Sequence, residues 1–379
     1  MTKQHNKYFL VAVCFVASLW LQPHSARAEG DAQNLVLVTL DGVRWQEVFG
    51  GVDASMIEDE RYTESPEHLK EAYWHEERAG RREKLFPFIW STVASQGVLI
   101  GDREKDSYME VTNSWWFSYP GYNEILTGRA DPAIDSNEKK WNSNVTFLEV
   151  LNNMAEFRGS VFAFGSWDVF PYIINTGRSG VPVNAGFDIE PNAMTATTRW
   201  LNKVSAQSPK LWSTVRLDFI THGYAMETLK SKHPRVTYIS YGETDDFAHD
   251  DSYDRYIDAA YRTDRMLSEL WNWLQSDMFY RGRTTLIITT DHGRGDTPDG
   301  WPSHASVSGA IALDIDMPAG VLGSDQIWLA AIGPGIQSAG LVSGHWKQSQ
   351  VTATALSALQ LDAQELMPDA DKLMERVLR

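Results

Sequence analysis

The chain has 379 residues, with 34 Lys+Arg against 50 Asp+Glu and a formal net charge of -16. Such an acidic balance argues against binding the phosphate backbone of a nucleic acid, because the field of the protein repels it. A hydrophobic content of 43% is typical of a globular chain and excludes a disordered one. The single cysteine, Cys14, excludes a disulfide scaffold and a zinc cluster built from cysteines.

The first 28 residues have the features of a secretory signal peptide. Two lysines, Lys3 and Lys7, precede an apolar run over 8–21, and an A-x-A cleavage site ends at Ala28. The apolar run has roughly 14 residues, fewer than the ~20 that a membrane-spanning helix needs. We therefore expect a periplasmic or secreted protein with no stable membrane anchor after cleavage.

Short apolar runs alternate with helical patterns along the rest of the chain. The runs end abruptly in polar residues or glycine, as buried parallel strands do: 34–40, 161–164, 236–241, 284–290 and 327–332. Helical periodicity is seen in three segments: 144–157, 252–275 and 348–361. This alternation predicts an α/β fold, a three-layer α/β/α sandwich with a mostly parallel central sheet.

The mature chain, 29–379, is expected to form a single domain. Two of its stretches do not fit the alternation of strands and helices, about 53–84 and about 167–234. We interpret both as insertions that cap the rim of the sheet.

Acidic residues follow three of the predicted strands, and histidines lie near them. Ligands bind at the carboxyl ends of the strands in an open parallel sheet, so these side chains are expected to meet there. The aspartates are Asp41, Asp245 and Asp291, and the histidines are His249, His292 and His304. This mixture of carboxylate and imidazole favours zinc, with manganese or iron also compatible.

Five segments in this order resemble the alkaline phosphatase superfamily, in particular its nucleotide pyrophosphatase/phosphodiesterase-like and sulfatase-like exported branches. They are LVLVTLDGVR, FSYPGYNEILTG (117–128), YGETDDFAH (241–249), TTDHGRG (289–295) and the late histidine before IWLAAIGPGI. Together they cover most of the mature chain outside the two insertions. The fold implied by the resemblance is alkaline phosphatase-like.

The resemblance also implies two divalent metal ions and a serine nucleophile. Asp41, Asp291 and His292 would hold one ion, which would also contact Ser118. Asp245, His249 and His304 would hold the other, with His345 as the rival for the last ligand. Ser118 falls at the position of the nucleophile of the family, and Asn137 falls near its oxyanion-binding asparagine.

The implied activity is hydrolysis of a small-molecule phosphoric ester through a metal-activated serine and a covalent phosphoryl-serine. A monoesterase needs a further cation, for which Arg294 is the favoured candidate. A diesterase needs a pocket for the second ester group, and Trp115-Trp116-Phe117 is the candidate wall. The sequence leaves this choice open.

Other activities are alternatives. A sulfatase that uses formylglycine needs arginine in a (C/S)-x-P-x-R context, where this chain has Tyr122. Hydrolysis of a sulfate or phosphonate ester by the same superfamily core remains an alternative. A non-catalytic metal- or carbohydrate-binding protein is another, less favoured because every expected ligand position holds a competent residue.

Overall fold

The computed structural model describes residue 1, residues 32–317 and residues 319–379. The predicted signal peptide lies outside this part of the chain except for Met1. The strands are Asn34–Leu40 (β1), Val98–Ile100 (β2), Ser107–Glu110 (β3), Val161–Gly165 (β4), Val183–Ala185 (β5), Val236–Tyr241 (β6), Thr284–Thr289 (β7), Gln326–Ile327 (β8), Leu329–Ile332 (β9), Gly340–Leu341 (β10) and Gly344–Lys347 (β11).

Helices of very different lengths connect these strands. The α-helices are Trp45–Gly50 (α1), Ala54–Ile57 (α2), Pro66–Tyr73 (α3), Arg78–Leu85 (α4), Ala94–Gln96 (α5), Ser118–Thr127 (α6), Phe147–Asn153 (α7), Phe170–Ile173 (α8), Thr176–Ser179 (α9), Ala196–Gln207 (α10), Asp218–Lys232 (α11), Glu243–His249 (α12), Tyr253–Ser276 (α13), Val307–Leu313 (α14), Gln350–Ala358 (α15) and Ala363–Leu366 (α16). A π-helical turn spans Ile89–Val93, and a 3₁₀ turn spans Arg103–Lys105. In the part of the chain that the structure describes, no helix is long and apolar enough to span a membrane.

The central sheet has eight strands in the order β10-β2-β9-β7-β1-β6-β4-β5. β1 is parallel to β6 on one side and to β7 on the other. Every apolar residue of β1 is buried, because helices cover both faces of the sheet. The mostly parallel α/β sandwich predicted from the sequence is confirmed.

Alternating side chains of β1 divide the core into two halves. Val36 and Val38 pack in one cluster with residues of α1, α4, α11 and α13. Leu35 and Leu37 pack in the other cluster with residues of α6, α7 and α15. Each such side chain contributes about 1.5–3 kcal/mol by leaving water, so both helical layers are held firmly to the sheet.

The last predicted strand differs from the expectation. The run 327–332 is divided at Trp328 between β8, which pairs with β3 in a separate three-stranded sheet, and β9 in the central sheet. β9 is antiparallel to both of its neighbours, β7 and β2. The indole of Trp328 donates a hydrogen bond to the carbonyl of Val43 at 2.9 Å, which fixes the chain where the two strands separate.

The predicted helices are present with different lengths. The segment 252–275 corresponds closely to α13, whereas 144–157 and 348–361 contain the shorter helices α7 and α15. His345, the rival candidate for the last metal ligand, lies in β11, where its ring stacks on Tyr108 with 4.5 Å between centroids. Trp346 is buried while His345 and Lys347 are exposed, which is the alternation of a half-buried strand.

The two predicted insertions differ in character. Residues 53–84 contain the helices α2 and α3 and most of α4. Residues 167–234 supply β5, which extends the sheet beside β4, and α11, which packs on β4 and β6. Part of the second stretch therefore belongs to the main layers, and its remainder reaches the rim of the site described below.

Candidate metal centre

The carboxyl ends of three adjacent strands bring the predicted ligands together. Asp41 follows β1, Asp291 lies two residues after β7, and Asp245 lies in the first turn of α12, directly after β6. Gly42 allows this convergence: its φ is +61°, and a Cβ there would lie 2.7 Å from Asp245 Oδ1. Steric crowding by Asp245 and the positive φ therefore explain why glycine follows Asp41.

The first group of potential ligands consists of Asp41, Asp291 and His292, all buried. His292 Nε2 lies 3.3 Å from Asp41 Oδ1 and 3.4 Å from Asp291 Oδ2. Neither of these two buried carboxylate oxygens accepts a hydrogen bond within the described residues. His292 Nδ1 donates to the carbonyl of Gly293 at 2.8 Å, so in the neutral ring Nε2 presents a lone pair to them.

The second group consists of Asp245, His249 and His304. Asp245 Oδ2 lies 3.2 Å from His249 Nε2, and Asp245 Oδ1 lies 3.6 Å from His304 Nε2. The two Nε2 atoms are 3.0 Å apart. His304 Nδ1 lies 3.3 Å from the carbonyl of Trp116, to which it donates in the neutral ring, so that its Nε2 also presents a lone pair.

Both groups fit divalent cations. In the first group, two buried carboxylate oxygens without hydrogen-bond donors face an imidazole nitrogen, and in the second group a carboxylate lies beside two imidazoles, so that a cation would satisfy the acceptor atoms of either group. Burial and the Asp41 carboxylate raise the pKa of Asp291 well above its usual value. Burial alone would lower the pKa of His292, but Asp291, Asp41 and Asp245 raise it to about 9. The ligand atoms of Asp245, His292 and His304 also lie close enough to share an ion, so His292 stands between the two groups.

Ser118 is the first residue of α6, and its side chain is 5% exposed. Its Oγ lies 3.3 Å from His292 Nε2, so the structure brings it to the first ligand group. The amino end of a helix favours negative charge, such as that on the oxygens of a phosphoryl group. The role of Ser118 as a metal-assisted nucleophile stays a prediction.

Gly121 permits the close packing of α6 on the ligand loop. A Cβ at this position would lie 2.4 Å from the carbonyl oxygen of Asp291, and backbone cannot yield easily. We expect Gly121→Ala to destabilise the fold by about 1–3 kcal/mol and to lower kcat, because α6 must move Ser118 away from His292. Thermal unfolding and steady-state kinetics test this, with Gly177→Ala as the control because a Cβ there meets nothing closer than 3.9 Å. Equal effects of both substitutions would contradict the packing argument.

Asn137 contacts the start of α6, where its side-chain Oδ1 accepts the backbone N–H of Tyr119 at 2.9 Å. This bond fixes the orientation of the amide. Its Nδ2 hydrogens have no hydrogen-bond partner among the residues that the structure describes. The geometry is compatible with the predicted contact to a substrate oxygen, which stays a prediction.

Arg294 occupies a different place from the one expected of a substrate-binding cation. Its side chain is fully buried, and its Nη1 donates to Asp245 Oδ1. Its Nε donates to the carbonyl of Trp301 at 2.8 Å, and its Nη2 donates to the carbonyl of Pro302. Arg294 is thus bound to a ligand carboxylate and to the loop that carries His304, and its predicted role towards substrate stays a prediction.

A cavity of about 350 Å³ opens over these residues. Its lining includes the predicted residues Asp41, Ser118, Asn137, Asp245, His249 and His304. It also includes residues that sequence reasoning missed: Trp167, Thr214, Val215, Asp246, Ser303, Leu313 and Ile315. Burial and the carboxylates of Asp245 and Asp41 raise the pKa of Asp246 to about 9. The aromatic side of the cavity is Trp167, and the run Trp115-Trp116-Phe117 is not part of the lining.

Two other missed residues hold the first ligand group in place. Tyr122 donates its hydroxyl to Asp41 Oδ2 at 2.8 Å, which leaves Oδ1 as the unpaired oxygen. Gln348 donates its Nε2 to the carbonyl of Asp291 at 2.6 Å. Tyr122 lies one turn of α6 beyond Ser118, a spacing that would have identified it, whereas no local pattern marks Gln348.

Solved structures with a similar fold include alkaline phosphatases and a synthase. The alkaline phosphatase PafA has a TM-score of 0.56 at 10% identity, over 93% of this chain and 100% of that one. The lipoteichoic acid synthase LtaP from Listeria monocytogenes has a TM-score of 0.54 at 10% identity, over 91% of this chain and 74% of that one. A protein of the alkaline phosphatase superfamily from Vibrio parahaemolyticus has a TM-score of 0.51 at 13% identity, over 91% and 70%. No curated protein sequence matches the chain significantly.

The fold is that of the alkaline phosphatase superfamily. The family model described as "Type I phosphodiesterase / nucleotide pyrophosphatase" matches residues 57–317, which is more than half of the chain. The chain belongs to this family. The matched range contains Ser118, Asp245, His249 and the Asp291-His292 pair, and Asp41 precedes it.

Proposed function

We propose that the protein hydrolyses phosphodiesters with Ser118 as the nucleophile and two divalent ions held by the two ligand groups. The observation that carries the choice of ester is the lining of the cavity. Among the described residues that line it there is no lysine and no arginine. Zinc is the proposed metal, because three imidazoles and three carboxylates suit a borderline-soft ion.

The charge of the substrate separates the two kinds of ester. A phosphomonoester brings a dianionic phosphoryl group and needs a fixed cation beside the metals, whereas a phosphodiester brings one negative charge. Two basic residues that are candidates for this role already pair with carboxylates: Lys139 pairs with Asp168 at 2.7 Å, and Arg294 is buried against Asp245. A monoanionic diester therefore suits this cavity better.

An apolar part of the cavity lining also supports a diester substrate, which has a second ester group to bury. Trp167, Val215, Leu313 and Ile315 form an apolar part of the lining beside the polar groups. Burying an apolar or aromatic substituent there contributes about 25 cal/mol per Å² of surface removed from water. A monoester has only one ester group, so it would bury less of this apolar surface than a diester.

In the proposed reaction, the Ser118 Oγ loses its proton and attacks phosphorus, and one ester group leaves and takes up a proton as the alcohol, while the other stays on the phosphoryl-serine. A water molecule then displaces Ser118, so that one diester and one water give a monoester and an alcohol. The ions, when bound, lower the pKa of the serine hydroxyl and neutralise phosphoryl oxygens. Asn137, whose amide is oriented by the Tyr119 N–H, donates from Nδ2 to a non-bridging oxygen. The backbone at the start of α6 favours the same negative charge.

The test is a matched pair of substrates, bis-p-nitrophenyl phosphate and p-nitrophenyl phosphate, with zinc-loaded mature protein. We expect kcat/KM for the diester to exceed that for the monoester by at least about tenfold, since the monoester lacks a cation partner. A preference for the monoester would contradict the proposal. Activity on p-nitrophenyl sulfate alone would support the sulfate ester alternative instead.

We also propose that the protein is exported. This proposal rests on the signal-peptide features of residues 1–28. Fractionation of cells that express the full chain tests it, with Ala28→Asp as a variant that blocks cleavage. We expect the shortened chain in the periplasm or medium and uncleaved chain in the variant.

A further inference from the structure

Arg294 contacts one of the two ligand groups and not the other. Its guanidinium pairs with Asp245, and its Nη2 lies 3.5 Å from His249 Nδ1. Its bonds to the carbonyls of Trp301 and Pro302 fix the loop that leads into His304. One buried positive charge therefore pairs with Asp245, lies beside His249 and fixes the loop that carries His304.

The carboxylates of the first group form no such ion pair. Asp41 and Asp291 contribute two carboxylates, and no arginine or lysine pairs with either of them in the described part of the chain. Their other oxygens accept neutral donors, the hydroxyl of Tyr122 at 2.8 Å and the backbone N–H of Gly42 at 3.2 Å. With neutral imidazoles, this group carries two negative charges, while the second group has one carboxylate offset by Arg294.

We propose that Arg294 makes the two metal sites unequal, so that the ions load in order. The ion held by Asp41, Asp291 and His292 binds first and tightly. The ion held by Asp245, His249 and His304 binds at higher metal concentration, because Arg294 repels it and occupies Asp245 Oδ1. This rests on the two-ion site of the proposed function but not on the ester that the site hydrolyses.

The fixed charge opposes binding strongly because the guanidinium is buried. A buried unit charge acts on a divalent ion through a medium that screens less than water, so removing it changes affinity by at least about tenfold. A purely positioning role makes the opposite prediction. If Arg294 only held Asp245 and the His304 loop in place, its loss would weaken the second site.

The experiment is a titration of metal-free protein with zinc alone, followed by isothermal titration calorimetry and by elemental analysis of bound zinc. In the wild type we expect two steps whose dissociation constants differ by at least about tenfold. Asp245→Asn should remove the weaker step and Asp291→Asn the tighter one. Arg294→Gln should tighten the weaker step by at least about tenfold, and the matched variant Arg294→Lys, which keeps the charge, should leave it weak.

Three results would overturn the proposal. They are two equal equivalents in one step in the wild type, a weaker second step in Arg294→Gln, and loss of the weaker step in Asp291→Asn. If Arg294→Gln does not fold, the order of loading in the wild type and in the two aspartate variants decides alone. Because zinc binding is measured without substrate, failure here is distinguishable from a wrong choice of ester.

Discussion

Ser118→Ala is expected to lower kcat for diester hydrolysis by about 10³-fold or more while the bound zinc and the fold remain unchanged. The reason is the position of Oγ, which lies at the start of α6 and 3.3 Å from His292 Nε2. Removing one buried oxygen leaves the six proposed ligands in place. Steady-state kinetics with bis-p-nitrophenyl phosphate, together with elemental analysis, measures both quantities.

The matched control is Ser114→Ala, in the same segment but exposed and outside the cavity lining. Its kcat should stay within a factor of about two, because surface substitutions rarely disturb a site. Mass spectrometry of wild type rapidly quenched with bis-p-nitrophenyl phosphate should show a p-nitrophenyl phosphoryl group on Ser118, because the second ester of the substrate stays on phosphorus in the intermediate. If Ser118→Ala keeps its activity within tenfold, water attacks the ester directly and the serine is not the nucleophile.

The convergence of the three aspartates was predictable because it depends on topology. A parallel sheet collects the carboxyl ends of its strands at one edge, so Asp41, Asp245 and Asp291 could be placed together from three apolar runs. β1 lies between β6 and β7 in the sheet, and this adjacency makes the three carboxylates converge. The order of the strands along the chain does not show that β1 lies between β6 and β7. The expectation of this arrangement came from the resemblance to the superfamily.

The walls of the cavity were not predictable in the same way. Trp167, Thr214 and Val215 reach the cavity because Trp167 and Val215 form an isolated antiparallel bridge, a long-range contact without a local signal. Leu313 and Ile315 lie at and just beyond the end of α14 and look like ordinary core residues in the sequence. The direction of β9 was missed for a related reason, since four apolar residues do not record which way a strand runs.

The place of Arg294 shows the limit of reading charge from sequence. A cation next to an Asp-His pair suggests a contact with an anionic substrate. In the structure, however, Asp245 and two backbone carbonyls hold the buried guanidinium, and Arg294 is not among the residues that line the cavity. Whether the guanidinium faces the substrate or the protein interior depends on where hydrogen-bond acceptors lie in the folded structure. A buried arginine takes the position in which its N–H donors have acceptors.

Asp291→Asn is expected to remove one zinc equivalent and lower kcat by about 10³-fold, yet to stabilise the protein in the presence of a chelator. Asp291 Oδ2 is buried without a hydrogen-bond donor and faces the Asp41 carboxylate group. Burial and Asp41 raise the pKa of Asp291, so in the folded state its ionised form becomes more costly as the pH rises above the unfolded value. The gain from asparagine should therefore grow with pH and vanish in acid.

Asp264→Asn is the same chemical change, but we expect it to change the stability of the protein in the opposite direction. Burial raises the pKa of Asp264 to about 7, but its two oxygens accept the backbone N–H groups of Phe88 and Ile89 at 2.7 and 3.0 Å. An asparagine there must turn its NH₂ towards one of these donors, so this variant should lose stability. In thermal unfolding with chelator at about pH 8, we expect the melting temperature to rise by about 1–2 °C for Asp291→Asn and to fall for Asp264→Asn. If the melting temperature falls in both variants, the Asp41–Asp291 pair does not destabilise the metal-free protein. The idea that this site lowers stability in order to bind metal would then be wrong.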